Sequence, residues 1–416
     1  MQISNVMKAA RALDRTQLLL IPALGFAFIL LAGLLQHVAS EVSGTNSYAL
    51  LADAFLHGRL DVTQCFDSDC AHFGDKVYVI FPPVPAIIAM PFVALFGIDF
   101  SGFAALGFTA YAASLFVWQR IFQRLGTDAQ TIVWLLLALA FATPLYYVSI
   151  RADRVWFFAQ SINFLLVTLA INEVLRGGKL ILAGALLGAG FLCRQMSVLL
   201  LPFLFVLALR PEEKLISLSA AHIKRALKLG LPVAAAVAVY MIYNQVRFGM
   251  PMETGYAYIK VANPDHWTLI NHRLNNVGLF SKDYVLFNAF YLFIQGFHID
   301  WGGPDMLTPL RLDPMGTSLL AASPFVLLAV FMPLRRTIVI GGLCAATILG
   351  VTLFYHGNGF SQYNTQRFVL DWMPVLFYVL ALTVNARLRP AFAVLAVYAL
   401  GLNVVAMVML ALMPAA

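Results

Sequence analysis

Short charged segments that interrupt apolar sequence hold the residues with the most evident chemistry in this chain. Asp61 in GRLD and Asp153 in RADR are carboxylates, which can accept a proton from a hydroxyl group. Arg151 and Arg154 flank Asp153, and Arg194 stands alone in a long apolar stretch. Arginine suits phosphate because its guanidinium group is always charged and binds with two donors. These residues predict proton transfer beside an anion such as phosphate.

Two further charged residues lie near the end of the chain. Arg367 and Asp371 are four residues apart, so one helix face would carry both, and we expect them to pair. Asp371 is the acid set deepest in an apolar segment. Charge is costly within a membrane, so such a residue is a functional candidate by default.

The composition indicates what must hold these residues in place. Hydrophobic residues make up 61% of the 416 residues and charged residues 11%, whereas an ordinary globular chain has about a quarter charged. So few charges cannot cover a soluble body of 45.7 kDa. The chain is therefore predicted to be an integral membrane protein, in which the pI near 9.2 reports orientation rather than binding to nucleic acid.

Apolar segments recur at lengths near the 20 or so residues that cross a bilayer core of about 30 Å. They predict eleven transmembrane helices, at 17–38, 101–119, 130–150, 155–175, 179–193, 196–209, 229–244, 317–333, 337–355, 367–384 and 390–412. We therefore expect an all-α protein, with residues 1–416 forming a single polytopic membrane domain.

The orientation follows from the charges between these segments. With eleven spans, more than half of the 27 Lys and Arg residues fall in short segments on one face, which identifies that face as cytoplasmic. Most of the 20 Asp and Glu residues fall on the opposite, outer face. We expect the N-terminus in the cytoplasm, the C-terminus outside, and any chemistry on the outer face.

Two outer loops are large, the first loop at 39–100 and the second loop at 245–316. Structureless loops of this length are uncommon in compact proteins. The apolar residues at 46–57, 80–97 and 284–299 therefore predict juxtamembrane helices within the loops.

The first loop also contains Cys65 and Cys70, in what would be an oxidising compartment. A small disulfide and two free thiols both remain open. The chain has 4 Cys in total and no CxxC pair, so a structural zinc site is not expected.

The order of several short motifs resembles the polytopic membrane glycosyltransferases of the C-type fold (GT-C). That group includes the lipid A aminoarabinose transferases and the protein O-mannosyltransferases. The resemblance rests first on the two helices of the first loop, a surface helix after the first span and a helix that is opened by Pro82-Pro83 and ends in LFG. It rests also on short motifs farther along the chain: Thr143-Pro144 before RADR, Tyr243-Asn244 with Arg247-Phe248-Gly249, Glu253-Thr254-Gly255-Tyr256, and Gln366-Arg367 with Asp371 and Pro374.

The resemblance implies a polyprenyl-phosphate sugar as the donor and transfer at the periplasmic face of a bacterial inner membrane. It implies a catalytic carboxylate in the first loop and, in some members, a divalent metal such as Mg or Mn, for which Asp153 is the candidate ligand. The candidates by role are Asp61, Asp153 and Glu41 for catalysis, Arg151, Arg154, Arg194 and Arg367 for the donor phosphate, and Glu253, Tyr256 and Asp371 for the acceptor or sugar pocket. Where the family carries an acidic pair, this chain has Gly44, Thr45 and Asn46, so the identity of the base is open.

Each candidate also has a structural alternative. Asp61 can be a solvated loop acid or a local cap, and Asp153 can form an ion pair with Arg151 or Arg154. Arg194 can extend its charged end to the membrane surface. At the level of the whole protein, the alternatives to a glycosyltransferase are a transporter of lipids or lipid-linked sugars and an O-antigen ligase or polymerase.

Overall fold

The computed structural model describes residues 15–67, 69–259, 269–357 and 365–413. This part of the chain is mostly helical, and five of its helices are long and apolar enough to cross a membrane. These are Arg15–Ala39 (α1), Val155–Leu175 (α7), Ala220–Phe248 (α10), Arg336–Phe354 (α14) and Arg389–Leu412 (α16). The helices confirm the membrane character that the composition predicts.

The other α-helices of the described residues lie between these five. They are Ser47–Leu56 (α2), Val84–Phe96 (α3), Phe103–Arg124 (α4), Ala129–Phe141 (α5), Pro144–Ile150 (α6), Leu180–Phe191 (α8), Leu201–Leu207 (α9), Leu269–Asn276 (α11), Val285–Phe293 (α12), Leu319–Ala322 (α13) and Met373–Thr383 (α15). Single 3-10 segments lie at Gln195–Leu200, Tyr256–Tyr258, Lys282–Tyr284, Pro324–Phe331 and Arg367–Asp371. Helix starts are fixed by capping side chains: Asn46, Asp128 and Ser219 accept backbone N–H groups at α2, α5 and α10.

The predicted number of eleven spans is not confirmed. Helices α5 and α6 bend by 48° at Thr143-Pro144 and together form a single broken span or a re-entrant segment. The predicted span at 179–193 contains only the 12-residue α8, which is about 18 Å long and shorter than a bilayer core of roughly 30 Å. At the end of α5, Thr143-Pro144 breaks the helix inside a segment that hydropathy treats as continuous.

The helices predicted within the large loops are confirmed as α2, α3 and α12. The loops also contain β-structure, which the all-α prediction omits. In the first loop, Cys70–Phe73 (β1) pairs with Lys76–Val79 (β2) in an antiparallel hairpin. In the second, Ile299–Gly302 (β3) pairs with Thr308–Leu312 (β4).

Cys65 and Cys70 form a disulfide at the start of the first hairpin. This resolves the alternative that the sequence left open in favour of the disulfide.

A buried aromatic cluster attaches the first loop to the helix bundle. The ring centroid of Tyr48 in α2 lies 6.1 Å from that of Phe81, which precedes α3, and 6.1 Å from that of Phe158 in α7. Arg247 of α10 is buried and donates through Nη1 to the Val79 carbonyl oxygen at 2.8 Å. The hairpin and the starts of α3 and α7 are thereby held against one another, and the candidate site lies beside them.

Helices α8 and α10 approach closely because α8 presents glycine at the contact. A Cβ atom at Gly184 would collide with the Leu229 carbonyl oxygen, and one at Gly188 would lie 3.1 Å from the Pro232 carbonyl oxygen. Small residues four positions apart allow this approach between helices in a membrane. The sequence GALLGAG at residues 184–190, which contains both glycines, is therefore the surface on which α8 packs against α10.

The close contact predicts that Gly184→Ala destabilises the protein. Forcing a methyl group into a filled interface costs about 1–3 kcal/mol, so the thermal unfolding midpoint in detergent should fall. Gly230→Ala on α10 is the matched control, because no heavy atom lies within 4 Å of the added carbon. Equal midpoints for the two variants would contradict the proposed packing.

Candidate functional site

A cavity of about 450 Å³ lies where several helices end and where the two large loops meet. Its walls come from the first hairpin, the start of α7, the break after α8, the end of α14 and the 3-10 segment before α15. The polar and aromatic side chains that line it include Asp69, Trp156, Arg194, Tyr256, Tyr355, His356, Arg367 and Asp371. Four of these, Arg194, Tyr256, Arg367 and Asp371, are among the site residues predicted from the sequence.

The strongest polar contact in the cavity joins Arg194 to Asp371. Arg194 donates from Nε and Nη2 to the two carboxylate oxygens, each at 2.7 Å, so the pair is bidentate. The Asp371 side chain is 1% exposed, whereas Arg194 reaches the cavity and is 19% exposed. The predicted pairing of Arg367 with Asp371 is therefore wrong: residues 367–371 form a 3-10 helix, and Asp371 pairs instead with Arg194, which follows α8.

Arg367 lies near Arg194 and is surrounded by aromatic rings. Its Cζ atom is 4.8 Å from the ring centroid of Phe157, 5.3 Å from that of Phe368 and 5.9 Å from that of Trp156. The positive charge of Arg194 acts on that of Arg367 across the cavity. Two guanidinium groups at one cavity repel each other, and a bound anion would relieve that repulsion.

Asp69 is the second carboxylate at the cavity. It is 6% exposed, and one of its oxygens accepts a hydrogen bond from Trp156 Nε1 at 2.7 Å. Asp69 is not among the site residues predicted from the sequence. The available signal was its place next to Cys70, since a disulfide and the strand that follows fix the backbone beside it.

The second loop contributes Tyr256 but not the carboxylate of Glu253. Tyr256 lines the cavity together with its neighbour Thr254. Glu253 instead accepts the backbone N–H of Gly255 at 2.7 Å, which stabilises the local turn.

Glu41 and Asp153 lie in a separate polar cluster at the end of α1. Glu41 accepts the backbone N–H groups of Phe103 and Ala104 at 3.0 and 2.8 Å, so it caps the start of α4. Burial raises the pKa of Glu41, and these two hydrogen bonds oppose the increase. This contact gives Glu41 a structural role that does not require a ligand.

Asp153 has three basic neighbours in that cluster. Its oxygens lie 3.2 Å from Arg154, 3.4 Å from His37 and 3.6 Å from Arg151. Burial acts to raise the pKa of Asp153, but the hydrogen bond with His37 and the arginine charges outweigh it, so the pKa is lowered. Neither Asp153 nor the two arginines line the cavity.

Asp61 does not line the cavity and lies beside the first hairpin, where its neighbour Val62 forms a β-bridge with Val77. Lys76 donates to its carboxylate at 3.1 Å, and this hydrogen bond lowers the pKa of Asp61. The ion pair with Lys76 agrees with the structural alternative for Asp61, that of a solvated acid in a loop.

Within the described residues, only Cys65, Asp67 and Cys70 bring three potential metal-ligand atoms within 4.8 Å of one another. Both cysteines are in the disulfide, which removes them as thiolate ligands. A magnesium or manganese ion at Asp153 therefore stays a prediction from the family resemblance.

The buried ion pair predicts strong coupling between Arg194 and Asp371. Arg194→Leu leaves a buried carboxylate without its partner, a change that destabilises proteins by about 3–5 kcal/mol. The double variant Arg194→Leu/Asp371→Leu should lose much less than the sum of the two single losses. Unfolding midpoints of the four proteins in detergent measure this coupling.

The exposed pair of Arg311 and Asp300 is the control for that cycle. Its nitrogen and oxygen lie 2.5 Å apart, but Arg311 is 73% exposed, so Arg311→Leu should change the midpoint little. Additive losses at Arg194 and Asp371 would mean that the buried pair is not a stabilising unit.

Comparison with known proteins does not identify the chain. No family model, no curated protein and no solved structure matches it. The arrangement of groups at the cavity is therefore the basis for a functional proposal.

Proposed function

We propose that this protein is a membrane glycosyltransferase that takes a sugar from a polyprenyl-phosphate donor and transfers it to a lipid, glycan or protein acceptor. The observation that carries the proposal is that two arginines and two carboxylates face one aromatic cavity in an apolar, membrane-embedded protein. The order of motifs that resembles GT-C glycosyltransferases supports the same reaction.

Arg194 and Arg367 are proposed to bind the donor phosphate. When the bond between the sugar C1 atom and the phosphate oxygen breaks, the departing polyprenyl phosphate keeps the electron pair and gains negative charge. Guanidinium groups that are already fixed stabilise this charge without reorganising. The Arg194–Asp371 contact and the aromatic rings around Arg367 supply that fixed geometry.

Asp69 is proposed as the base. Its carboxylate would accept the proton of the acceptor hydroxyl as the hydroxyl oxygen bonds to the sugar C1 atom. Asp371 is less suited to this role because both of its oxygens already accept hydrogen bonds from Arg194. The family resemblance implies a first-loop carboxylate, and Asp69 is the acid of that loop that lines the cavity.

The face of the membrane is also part of the proposal. The cavity is lined by residues at the start of α7, directly after α8 and at the end of α14. The distribution of charge predicts that all three positions lie on the outer face. We propose that transfer takes place there, at the periplasmic side of a bacterial inner membrane. Donors that carry a long lipid on the phosphate are available at such a site, whereas soluble nucleotide sugars are not.

The base assignment predicts that Asp69→Asn abolishes transfer. The variant keeps the side-chain shape and an oxygen for Trp156, but it cannot take a proton, so the rate should fall at least 100-fold, in line with the 10²–10⁴-fold or so typical of acid–base catalysis. The measurement uses protein reconstituted in liposomes with radiolabelled polyprenyl-phosphate sugars and membrane lipid extract as acceptor. Covalently labelled acceptor is counted after the donor is removed.

Asp61→Asn and Asp153→Asn are run beside it to test the acids predicted from the sequence. If Asp69→Asn retains full activity while one of these variants loses it, the base is the other acid and the cavity assignment is wrong. If labelled sugar only crosses the bilayer and never becomes attached to an acceptor, the protein is a transporter and the enzymatic proposal fails.

A further inference from the structure

His356 lines the cavity directly after α14, and its side chain has an unusual environment. The residue is 5% exposed, and neither ring nitrogen has a hydrogen-bond partner among the described residues. Buried polar atoms are almost always paired, so a buried imidazole with two open nitrogens indicates that a ligand supplies the partners.

The position of this ring does not depend on its nitrogens. The His356 backbone N–H donates to the Leu279 carbonyl oxygen at 3.0 Å, and Arg273 Nη1 donates to the His356 carbonyl oxygen at 2.5 Å. Tyr355, the preceding residue, forms a β-bridge with Phe280. The backbone contacts alone hold the imidazole at the cavity wall, which leaves both nitrogens available.

The protonation state of His356 determines what those nitrogens can bind. Burial, followed by the charge of Arg273, lowers the pKa of His356 to about 4, so the ring is neutral at pH 7. A neutral imidazole has one N–H donor and one acceptor nitrogen. A hydroxyl group also donates and accepts, whereas an ionised phosphate oxygen only accepts, so His356 matches a hydroxyl.

Two aromatic rings lie beside His356 at this part of the wall. The ring centroids of Tyr355 and Tyr256 are 4.4 Å and 6.0 Å from that of His356. Aromatic faces present apolar surface to the C–H groups of a sugar ring, while a neighbouring polar group binds its hydroxyls. The arginines, by contrast, suit the phosphate.

We propose that His356 is a specificity residue that binds a hydroxyl group of the donor's sugar, while Arg194 and Arg367 bind the phosphate of the same molecule. This inference rests on the proposed function, because it requires a sugar attached to a lipid phosphate. It divides the cavity into a phosphate part and a sugar part with separate side chains.

The test compares binding of undecaprenyl phosphate with binding of three lipids that carry a sugar on the same phosphate. Undecaprenyl phosphate, and undecaprenyl phosphate carrying glucose, mannose or arabinose, are titrated into the detergent-purified full-length protein, with tryptophan fluorescence as the readout because Trp156 lines the cavity. The wild-type protein should bind one of the sugar lipids more tightly than undecaprenyl phosphate. His356→Phe should weaken that sugar lipid about tenfold, the effect of one lost hydrogen-bonding group, and leave undecaprenyl phosphate unchanged.

Three further variants make the result specific to His356. His356→Gln keeps a donor and an acceptor and should retain most of the sugar preference. Arg367→Met should weaken both lipids, and His57→Phe, at an exposed histidine, should change neither. Should His356→Phe not fold, His356→Ala is measured in its place, with the unfolding midpoint as the check.

The outcomes separate the two proposals. If the wild-type protein binds the sugar lipids no better than undecaprenyl phosphate, or if His356→Phe weakens the sugar lipid and undecaprenyl phosphate equally or weakens neither, the sugar role of His356 is overturned while the phosphate site stands. If the wild-type protein binds none of these lipids, the proposed function itself fails, and this inference fails with it.

Discussion

The bidentate contact between Arg194 and Asp371 is the interaction on which the candidate site depends. It joins the break after α8 to the 3-10 segment before α15, two regions 177 positions apart in the chain. Separating buried charges from water is unfavourable, so neither residue would be stable in this position without the other. The pair therefore joins the segment after the end of α8 to the segment before the start of α15, and both residues line the cavity.

The remaining walls of the cavity follow from packing rather than from charge. The aromatic cluster around Tyr48 holds the first loop against α7, and Arg247 ties the first hairpin to α10. Helix α8 can approach α10 because glycine replaces larger side chains at the contact. The contacts of Tyr48 and Arg247 order the first loop, which would otherwise have to become ordered when a ligand binds.

Much of this architecture could be predicted from local sequence features. Composition predicts a membrane protein, and the apolar residues at 46–57 and 80–97, together with Pro82-Pro83, predict the helices of the first loop. Arg194, Arg367 and Asp371 could be chosen because charged residues are unusual in apolar surroundings, and Tyr256 could be chosen from the motif that resembles GT-C glycosyltransferases. These residues could be selected from the sequence without knowing which side chains contact them in the fold.

The partners of these residues could not be predicted in the same way. Spacing along one helix favours Arg367 with Asp371, but a 3-10 segment and a distant arginine give a different pair. Asp69 and His356 were missed because hydrophilic loops contain many acids and histidines, and only the fold distinguishes the buried ones. The predicted count of eleven spans is not confirmed, because hydropathy does not report where a helix breaks.

The disulfide between Cys65 and Cys70 has a consequence for the acid beside it. It closes a small covalent ring, and Asp69 lies within that ring, adjacent to Cys70. A closed ring has fewer conformations than an open loop of the same length, so less conformational entropy remains to be lost when Asp69 takes up its place at the cavity. The crosslink thus acts as preorganisation of a carboxylate, at a point in the chain where no helix is present to provide it.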